Sequence, residues 1–328
     1  MLVLMTLPLD IFRALADATR LRILQLLRSM ELSVGELAQV LGQSQPRVSR
    51  HVKILCDAGL AERRKEGSWV FVALGAAKAV DPVAAALDAW CADEPDHWAV
   101  ADAARLAAVR ADRAASAAAW FESHAGEWDA IRALHVADSA VEVAMADMLG
   151  SEAVGTLIDI GTGTGRMLEL FAGGARTALG IDRSSEMLRL ARAKLSERGV
   201  GNADLRQADL YALPMRDGAA DVAIVHHVLH FAQQPGAAIA EAARVLGPGG
   251  RLLIADFASH DREELRTRDG HTRLGFDDAQ MATWFAAAGL AAPVIHTLEG
   301  GTLTVKLWLG RKAGVRLRAL SSGKAEAA

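Results

Sequence analysis

Cysteine is nearly missing: Cys56 and Cys91 are the two in 328 residues. Two thiols make no disulfide framework, and the reading that follows is a reducing, cytoplasmic compartment. Long apolar runs are missing as well. None approaches the roughly 18–20 residues of a membrane span, so no membrane partner is expected. The opening MLVLMTLPL is greasy but lacks a basic flank and a small-residue cleavage site, so it is not read as a signal peptide. No Gly/Ser-rich linker divides the chain, and internal repeats are absent. What remains is a chain whose 52% hydrophobic content is ample for two buried cores.

Charge is unevenly spread. Up to Leu74 there are ten Lys/Arg against seven Asp/Glu, a surplus of three, which leaves −7 of the total −4 for the remainder. A modestly basic front on an acidic body points to nucleic acid for the first part alone. That part reads as helices. Ile11, Phe12 and Leu15 share a face, Asp17-Ala18-Thr19 interrupts, and Leu21, Ile23, Leu24, Leu26 and Leu27 resume. Ser33 with Glu36 is a capping box opening a helix that stops at Gly42. Ser44 caps the next, with Pro46 in its first turn and Val48, Val52, Ile54 and Leu55 as its buried stripe. Two helices joined by a short glycine turn make a helix-turn-helix. Leu60–Arg63 and Trp69–Leu74, joined by Lys65-Glu66-Gly67-Ser68, form a β-hairpin wing behind it.

The exposed face of the second of these helices carries Gln43, Ser44, Gln45, Arg47, Ser49, Arg50 and Lys53, groups that reach base edges and phosphates in a major groove. Arg63, Arg64 and Lys65 put charge on the wing. A solvated helix face has the same composition. The words LADATRLRIL, SQPRVSRHVKIL and DAGLAERRKEGSWVFVAL, however, resemble the ArsR/SmtB repressors over residues 9 to about 90. That resemblance implies double-stranded operator DNA as a partner. It also implies a homodimer paired through the first helix and the one from Pro82 to Cys91. Metal-sensing members carry Glu-Leu-Cys-Val-Cys on the third helix, where this chain has Glu31-Leu32-Ser33-Val34-Gly35. Without thiolates there, no soft-metal sensing is expected. Cys56, beside the apolar stripe, reads as a small buried hydrophobe. Cys91, Asp96 and His97 are the remaining conceivable ligand group, and no metal is assigned to them. Ala76 to Ala119 is alanine-rich and helical, broken near Glu94-Pro95, with Val100, Leu106 and Val109 at helical spacing. It reads as a dimerisation helix followed by a stiff connector, residues 92–117.

The second chemical signal is LIDIGTGTGR, Leu157–Arg166. A strand ends in Asp159, Gly161, Gly163 and Gly165 alternate, and a helical pattern follows at once, so a ligand can approach bare backbone at a helix start. A dinucleotide fingerprint would place a third glycine where Arg166 stands. A second strand ends in Asp182, at a suitable distance for a carboxylate that holds both ribose hydroxyls. Asp159–Gly165, Asp182, the pair Asp209-Leu210, and Leu246–Gly250 before Arg251–Phe257 resemble the motifs of class I S-adenosylmethionine (SAM) dependent methyltransferases, from Ala118 to Arg311.

The resemblance implies roles. Asp159 orders the loop and attracts the methionine amino group, and Gly161, Gly163 and Gly165 let the backbone close on the ligand. Asp182, with Arg183 beside it, takes the ribose, and Met187 packs near the adenine. Asp209 and the Leu210 amide meet the adenine edge, and His226 falls where a backbone carbonyl faces the amino group. SAM or S-adenosylhomocysteine is the implied ligand, and a small-molecule methyl acceptor the implied second substrate. His227 and His230 are the available bases, with helix capping as their alternative; His260 and His271 are candidates to line an acceptor pocket. From Ala118 onward there is no cysteine, which disfavours arsenite methylation. Trp120-Phe121-Glu122 and Glu127-Trp128-Asp129 either cover the ligand or pack on the sheet edge.

The expected fold is α/β. An N-terminal winged helix-turn-helix (residues 1–91) is followed by the connector, a Rossmann-like class I methyltransferase domain ending in an antiparallel hairpin (118–312), and a disordered tail (313–328). Three functions remain open: a transcriptional regulator that senses the ligand, a working methyltransferase whose front end controls its own operon, or a protein or nucleic-acid methyltransferase that docks through the winged helix.

Overall fold

A computed structural model describes residues 6–66, 69–90, 97–124 and 138–314. The chain forms two compact units. Unit 1 comprises Met1–Glu127, His230–Pro235 and Phe257–Gly275; unit 2 comprises Trp128–Leu229, Gly236–Asp256 and Phe276–Ala328. The division departs from a linear split near residue 117. Two short segments drawn from between sheet strands join the front of the chain.

In unit 1 the helices are α1 (Thr6–Leu15), α2 (Ala18–Ser29), α3 (Val34–Leu41), α4 (Gln45–Asp57), α5 (Ala77–Trp90) and α6 (His97–His124). Local chemistry sets their ends. Asp17 caps α2 by accepting from the Arg20 amide. The Ser33/Glu36 box opens α3, and Gly42, left-handed at φ 64°, closes it. Ser44 occupies the cap position of α4 with extended backbone, but its hydroxyl makes no capping bond, contrary to the expectation. Helix α5 begins at Ala77 and carries Pro82 inside it, where a start at Pro82 was expected.

The wing is longer than its sequence suggested: β2 (Ala61–Glu66) pairs with β3 (Trp69–Leu74) out to Glu66 opposite Trp69. A further two-residue strand, β1 (Leu32–Ser33), lies antiparallel on β3, with Leu32 opposite Val72 and Ser33 opposite Phe71. The core of the unit joins Ile23, Leu27, Leu37, Val40, Val48, Val52 and Leu55 to Leu106 and Val109 of α6. The connector is therefore part of the winged-helix core. Its buried stripe is Asp102, Leu106 and Val109, while Val100 is exposed. Asp102, 3% exposed, accepts two bonds from Arg22 at 2.7 Å and one from Arg105 at 2.8 Å. Trp120, Phe121 and Glu122 lie on α6. Residues 125–137, Cys91, Asp96, and the tail beyond 314 fall outside the described residues.

Unit 2 opens with α7 (Asp138–Leu149) and builds a seven-stranded sheet from β4 (Gly155–Ile160), β5 (Ala175–Asp182), β6 (Ala203–Gln207), β7 (Ala220–His226), β8 (Leu246–Phe257), β9 (Val294–Leu298) and β10 (Val305–Arg311). The order across the sheet is β6-β5-β4-β7-β8-β10-β9. Strands β4 to β8 pair in parallel, whereas β9 and β10 pair antiparallel. Ile158, Ile160, Val225, Leu252 and Ile254 on one face of the sheet and Leu157, Val222, Ile224 and Leu253 on the other are all buried, which is why these strands read as near-continuous hydrophobic runs. The chain moves from β4 to β5 on one side and later returns to β7 on the other. The C-terminal ends of β4 and β7 thus form the switch point where open α/β sheets bind ligands. Among the described residues no helix is long and apolar enough to cross a membrane.

Candidate nucleoside site and DNA-binding face

The candidate nucleoside site belongs to unit 2 and starts from three glycines at positive φ: Gly161 at 74°, Gly163 at 52° and Gly165 at 87°. This backbone is costly for any other residue, and Gly161 also lacks room for a side chain while Gly165 is tightly approached. A Cβ on Gly161 would come within 2.4 Å of Val228, and one on Gly165 within 3.2 Å of Ala191. The loop they form is tied down by its own polar groups. The Thr162 amide donates to the Ile181 carbonyl at 2.7 Å, and the Gly165 amide to the Thr162 carbonyl at 2.8 Å. The Thr162 hydroxyl donates to Asp159 at 2.5 Å. Asp159 is 1% exposed, so its carboxylate orders the loop from beneath.

Asp182, the last residue of β5, receives the Gly163 amide on Oδ2 at 2.9 Å and the Ser184 amide on Oδ1 at 2.8 Å. Burial pushes its carboxyl above the usual range, and these amides oppose that push. A carboxylate has about four lone-pair directions, and the Gly163, Ser184 and Arg183 amides all bond to this one. The acceptor capacity that remains is what a ribose hydroxyl would use. Ser184 also caps the helix that follows it, α8 (Ser185–Glu197), by accepting from the Met187 amide at 3.2 Å. Met187 itself is 1% exposed, in the core, while Arg183 is exposed.

Asp209 is exposed, and its Oδ1 accepts from the Tyr211 amide at 3.0 Å in a tight turn that sets the direction of the Leu210 backbone. His226 closes β7 at 8% exposure, and His227 follows at 5%. His227 has φ 53°, and among the described residues it is the non-glycine at positive φ. Its amide donates to the Ala255 carbonyl at 2.9 Å, which holds the strained turn. Strain of roughly 1–3 kcal/mol at a strand mouth marks a position held for a purpose.

Sequence reasoning missed Thr162 and Ser184. Both act through one hydroxyl or one amide inside motifs chosen for their glycines and acids. Arg166, where a third glycine would stand in a dinucleotide fold, makes a two-point ion pair with Glu142 of α7 at 2.6 and 2.7 Å.

The DNA-binding face belongs to unit 1. Arg47 and Arg50 are exposed on α4 and make no side-chain hydrogen bond or ion pair among the described residues. Gln45 and Ser44 are exposed beside them. Other expected contacts are engaged within the protein. Gln43 donates to Thr19 at 3.1 Å, Lys53 pairs with Asp57 at 2.7 Å, and the Ser49 carbonyl accepts from Arg63 at 2.7 Å. Arg63 thereby braces the wing against the recognition helix. Arg64 and Lys65 lie on β2, and their side chains fall outside the described residues. His230, His260 and His271 also belong to unit 1. The His230 and His271 rings are 4.3 Å apart, and His271 stacks on Phe257 at 5.6 Å.

A winged helix-turn-helix in one unit and a β6-β5-β4-β7-β8-β10-β9 sheet with an antiparallel end in the other define a winged helix fused to a Rossmann-like methyltransferase fold. Residues 17–63 match the arsR family of bacterial regulatory proteins, and residues 158–254 match the methyltransferase domain family. The chain belongs to the arsR family through its first part and to the methyltransferases through its second. It is 45% identical over 82 residues to the arsenical resistance operon repressor of Escherichia coli, covering 23% of this chain and 70% of that one. Over 189 residues it is 34% identical to the ubiquinone/menaquinone biosynthesis C-methyltransferase of Stutzerimonas stutzeri, covering 48% of this chain and 74% of that one. A chain from the complex of the Haloferax volcanii Trm112 methyltransferase activator with a methyltransferase shares the fold, with a TM-score of 0.50, 20% identity, 59% of this chain and 97% of that one. The chain spans about half the length of other curated relatives it matches.

Proposed function

We propose that this protein is a DNA-binding transcriptional regulator whose operator affinity responds to SAM or S-adenosylhomocysteine held in unit 2. The reading rests above all on Asp182. The Gly163, Ser184 and Arg183 amides fix its carboxylate, and its remaining acceptor capacity is left for a ribose hydroxyl. Arg47 and Arg50, exposed on α4, supply the DNA side, and a homodimer through α1 and α5 presents two such helices to two half-sites. The exposed Leu9 and Phe12 of α1 support that pairing. Asp159 and the glycine loop receive the methionine end, and Asp209 with the Leu210 amide receives the adenine. The test is operator affinity with and without each nucleoside. A response of severalfold or more to either supports the reading, since site couplings usually run about 5–150-fold. No response to either ends it.

The likeness to a C-methyltransferase over three quarters of that enzyme's length favours a second reading, turnover of a small-molecule acceptor. SAM supplies a sulfonium methyl that needs little beyond alignment, and the protein's part is to position the acceptor and remove its proton where it has one. His227, held in its strained turn, is the base for that reading. An acceptor screen that yields S-adenosylhomocysteine would support it. A screen without product, beside an operator affinity that responds, leaves the sensor.

A further inference from the structure

Two stretches of the sheet-forming sequence belong to unit 1: His230–Pro235, which follows β7, and Phe257–Gly275, which follows β8. Each is anchored in the unit 2 core where it leaves or returns. Leu229 and Phe276 are both 1% exposed members of that core. The two segments are bound to each other, because the Thr272 and Arg273 amides both donate to the His230 carbonyl, at 3.0 and 2.9 Å. The longer one is braced internally. The Asp269 and His271 amides donate to the Leu265 carbonyl, and the His260 amide to that of Leu274.

The segments end on the helix-turn-helix. Arg273 is 1% exposed, and its guanidinium pairs with Glu31 at 3.0 Å. It lies over the Phe71 ring with Cζ 4.3 Å from the centroid and donates to the Gln233 carbonyl at 3.1 Å. Glu31 immediately precedes β1 and the Ser33 cap that opens α3, and Phe71 sits opposite Ser33 on β3. One buried cation thus touches the wing and the start of the first helix of the DNA-binding pair. A guanidinium buried this deeply needs its carboxylate partner, so displacing Glu31 from it is costly. The strand it hangs from, β8, lies beside β7, which ends at the strained His226-His227 turn.

We propose that residues 230–235 and 257–275 are the transmission line between the strand ends of unit 2 and the helix-turn-helix, with Arg273 on Glu31 and Phe71 as its output. It deepens the ligand-responsive reading above and rests on it for the identity of the input. The line makes the acceptor-side loops of a methyltransferase sheet into part of a DNA-binding unit. A shift at the ends of β7 or β8 moves the wing by a route separate from α6.

The test is amide hydrogen exchange on the full chain, with and without a duplex that the protein itself selects from fragmented genomic DNA. In the wild type, DNA changes exchange at residues 257–275 by about fivefold or more, the low end of ordinary couplings. In Glu31→Gln, exchange at 257–275 rises in the free protein, and the response to DNA falls below about twofold while the duplex is still bound. Should Glu31→Gln lose DNA binding, Phe71→Leu, which removes the ring and keeps an apolar side chain, gives the same readout. Unchanged exchange at 257–275 on DNA binding overturns the proposal, as does a variant that transmits as well as the wild type. S-adenosylhomocysteine is a separate arm. If it leaves operator affinity unmoved while DNA still alters exchange at 257–275, the ligand reading fails and the line stands.

Discussion

Asp182 is a single side chain on which the proposed nucleoside site turns. Its environment fixes how its removal should behave. Each charge-assisted bond to a carboxylate contributes roughly 1.5–3 kcal/mol, so losing even one weakens a ligand by about tenfold or more. Asp182→Ala is expected to reduce S-adenosylhomocysteine affinity by at least about tenfold in calorimetry, with far-ultraviolet circular dichroism unchanged. The pH dependence carries a sign. Burial raises this carboxyl in the free protein, and ribose hydroxyls favour its charged form. Affinity is therefore full above the raised value and lost as pH falls through it, starting higher than the ordinary aspartate value of about 3.9. The wild type should take up a proton on releasing ligand in that window; Asp182→Ala should not. Arg50 is the corresponding residue on the DNA face. Arg50→Ala should weaken operator binding and, where it meets a phosphate, lower the slope of log affinity against log salt by about one. Without operator present it should leave nucleoside binding untouched, because Arg50 is an exposed side chain of α4.

At the scale of elements, helix α6 shows what the sequence conceals. The stripe Leu106 and Val109 was legible from spacing, but its third member is a charge, Asp102, not the exposed Val100. The reason is distance along the chain: Asp102 is bound by Arg22, 80 positions away, and hydropathy cannot anticipate such a partner. Removing the carboxylate leaves two guanidiniums facing a vacated, largely buried position. Asp102→Ala should destabilise unit 1 by roughly 3–5 kcal/mol, read as an earlier denaturant midpoint. Burial pushes this carboxyl up, and Arg22 and Arg105 outweigh that and hold it below the usual range. Its contribution is present above about pH 3.9 and is lost as pH falls through the lowered value, so the gap between variant and wild type should close in acid. Elements set by neighbours in sequence were readable: the Ser33/Glu36 box, the Gly42 stop, the glycine turn and the strand ends at Asp182 and His226. Strand β1 was not. Two residues acquire strand character only by lying against Val72 and Phe71, a long-range fact. The Ser44 cap was readable as a position and misread as a bond, since Ser44 takes the cap backbone without aiming its hydroxyl at the helix.

For the whole molecule, motif order revealed both families but not which segments fold together. Residues 257–275 carry no repressor word, and nothing in linear order assigns them to the DNA-binding unit. Compactness does. The consequence that can be measured without knowing the operator's role in the cell is thermodynamic. If a nucleoside in unit 2 changes operator affinity by some factor, the operator must change nucleoside affinity by the same factor and in the same direction. This equality holds for equilibrium binding and fails for turnover, where the coupling need not be symmetric. Two titrations therefore decide what kind of molecule this is: operator against protein saturated with S-adenosylhomocysteine, and S-adenosylhomocysteine against protein saturated with operator. Matching factors above about fivefold identify a sensor. Factors near one in both, with an acceptor consumed at a steady rate, identify an enzyme whose attached winged helix controls supply and not activity. The salt dependence of the first titration should exceed that of the second, because the operator releases counterions and the ligand, bearing a zwitterionic amino-acid end, releases few.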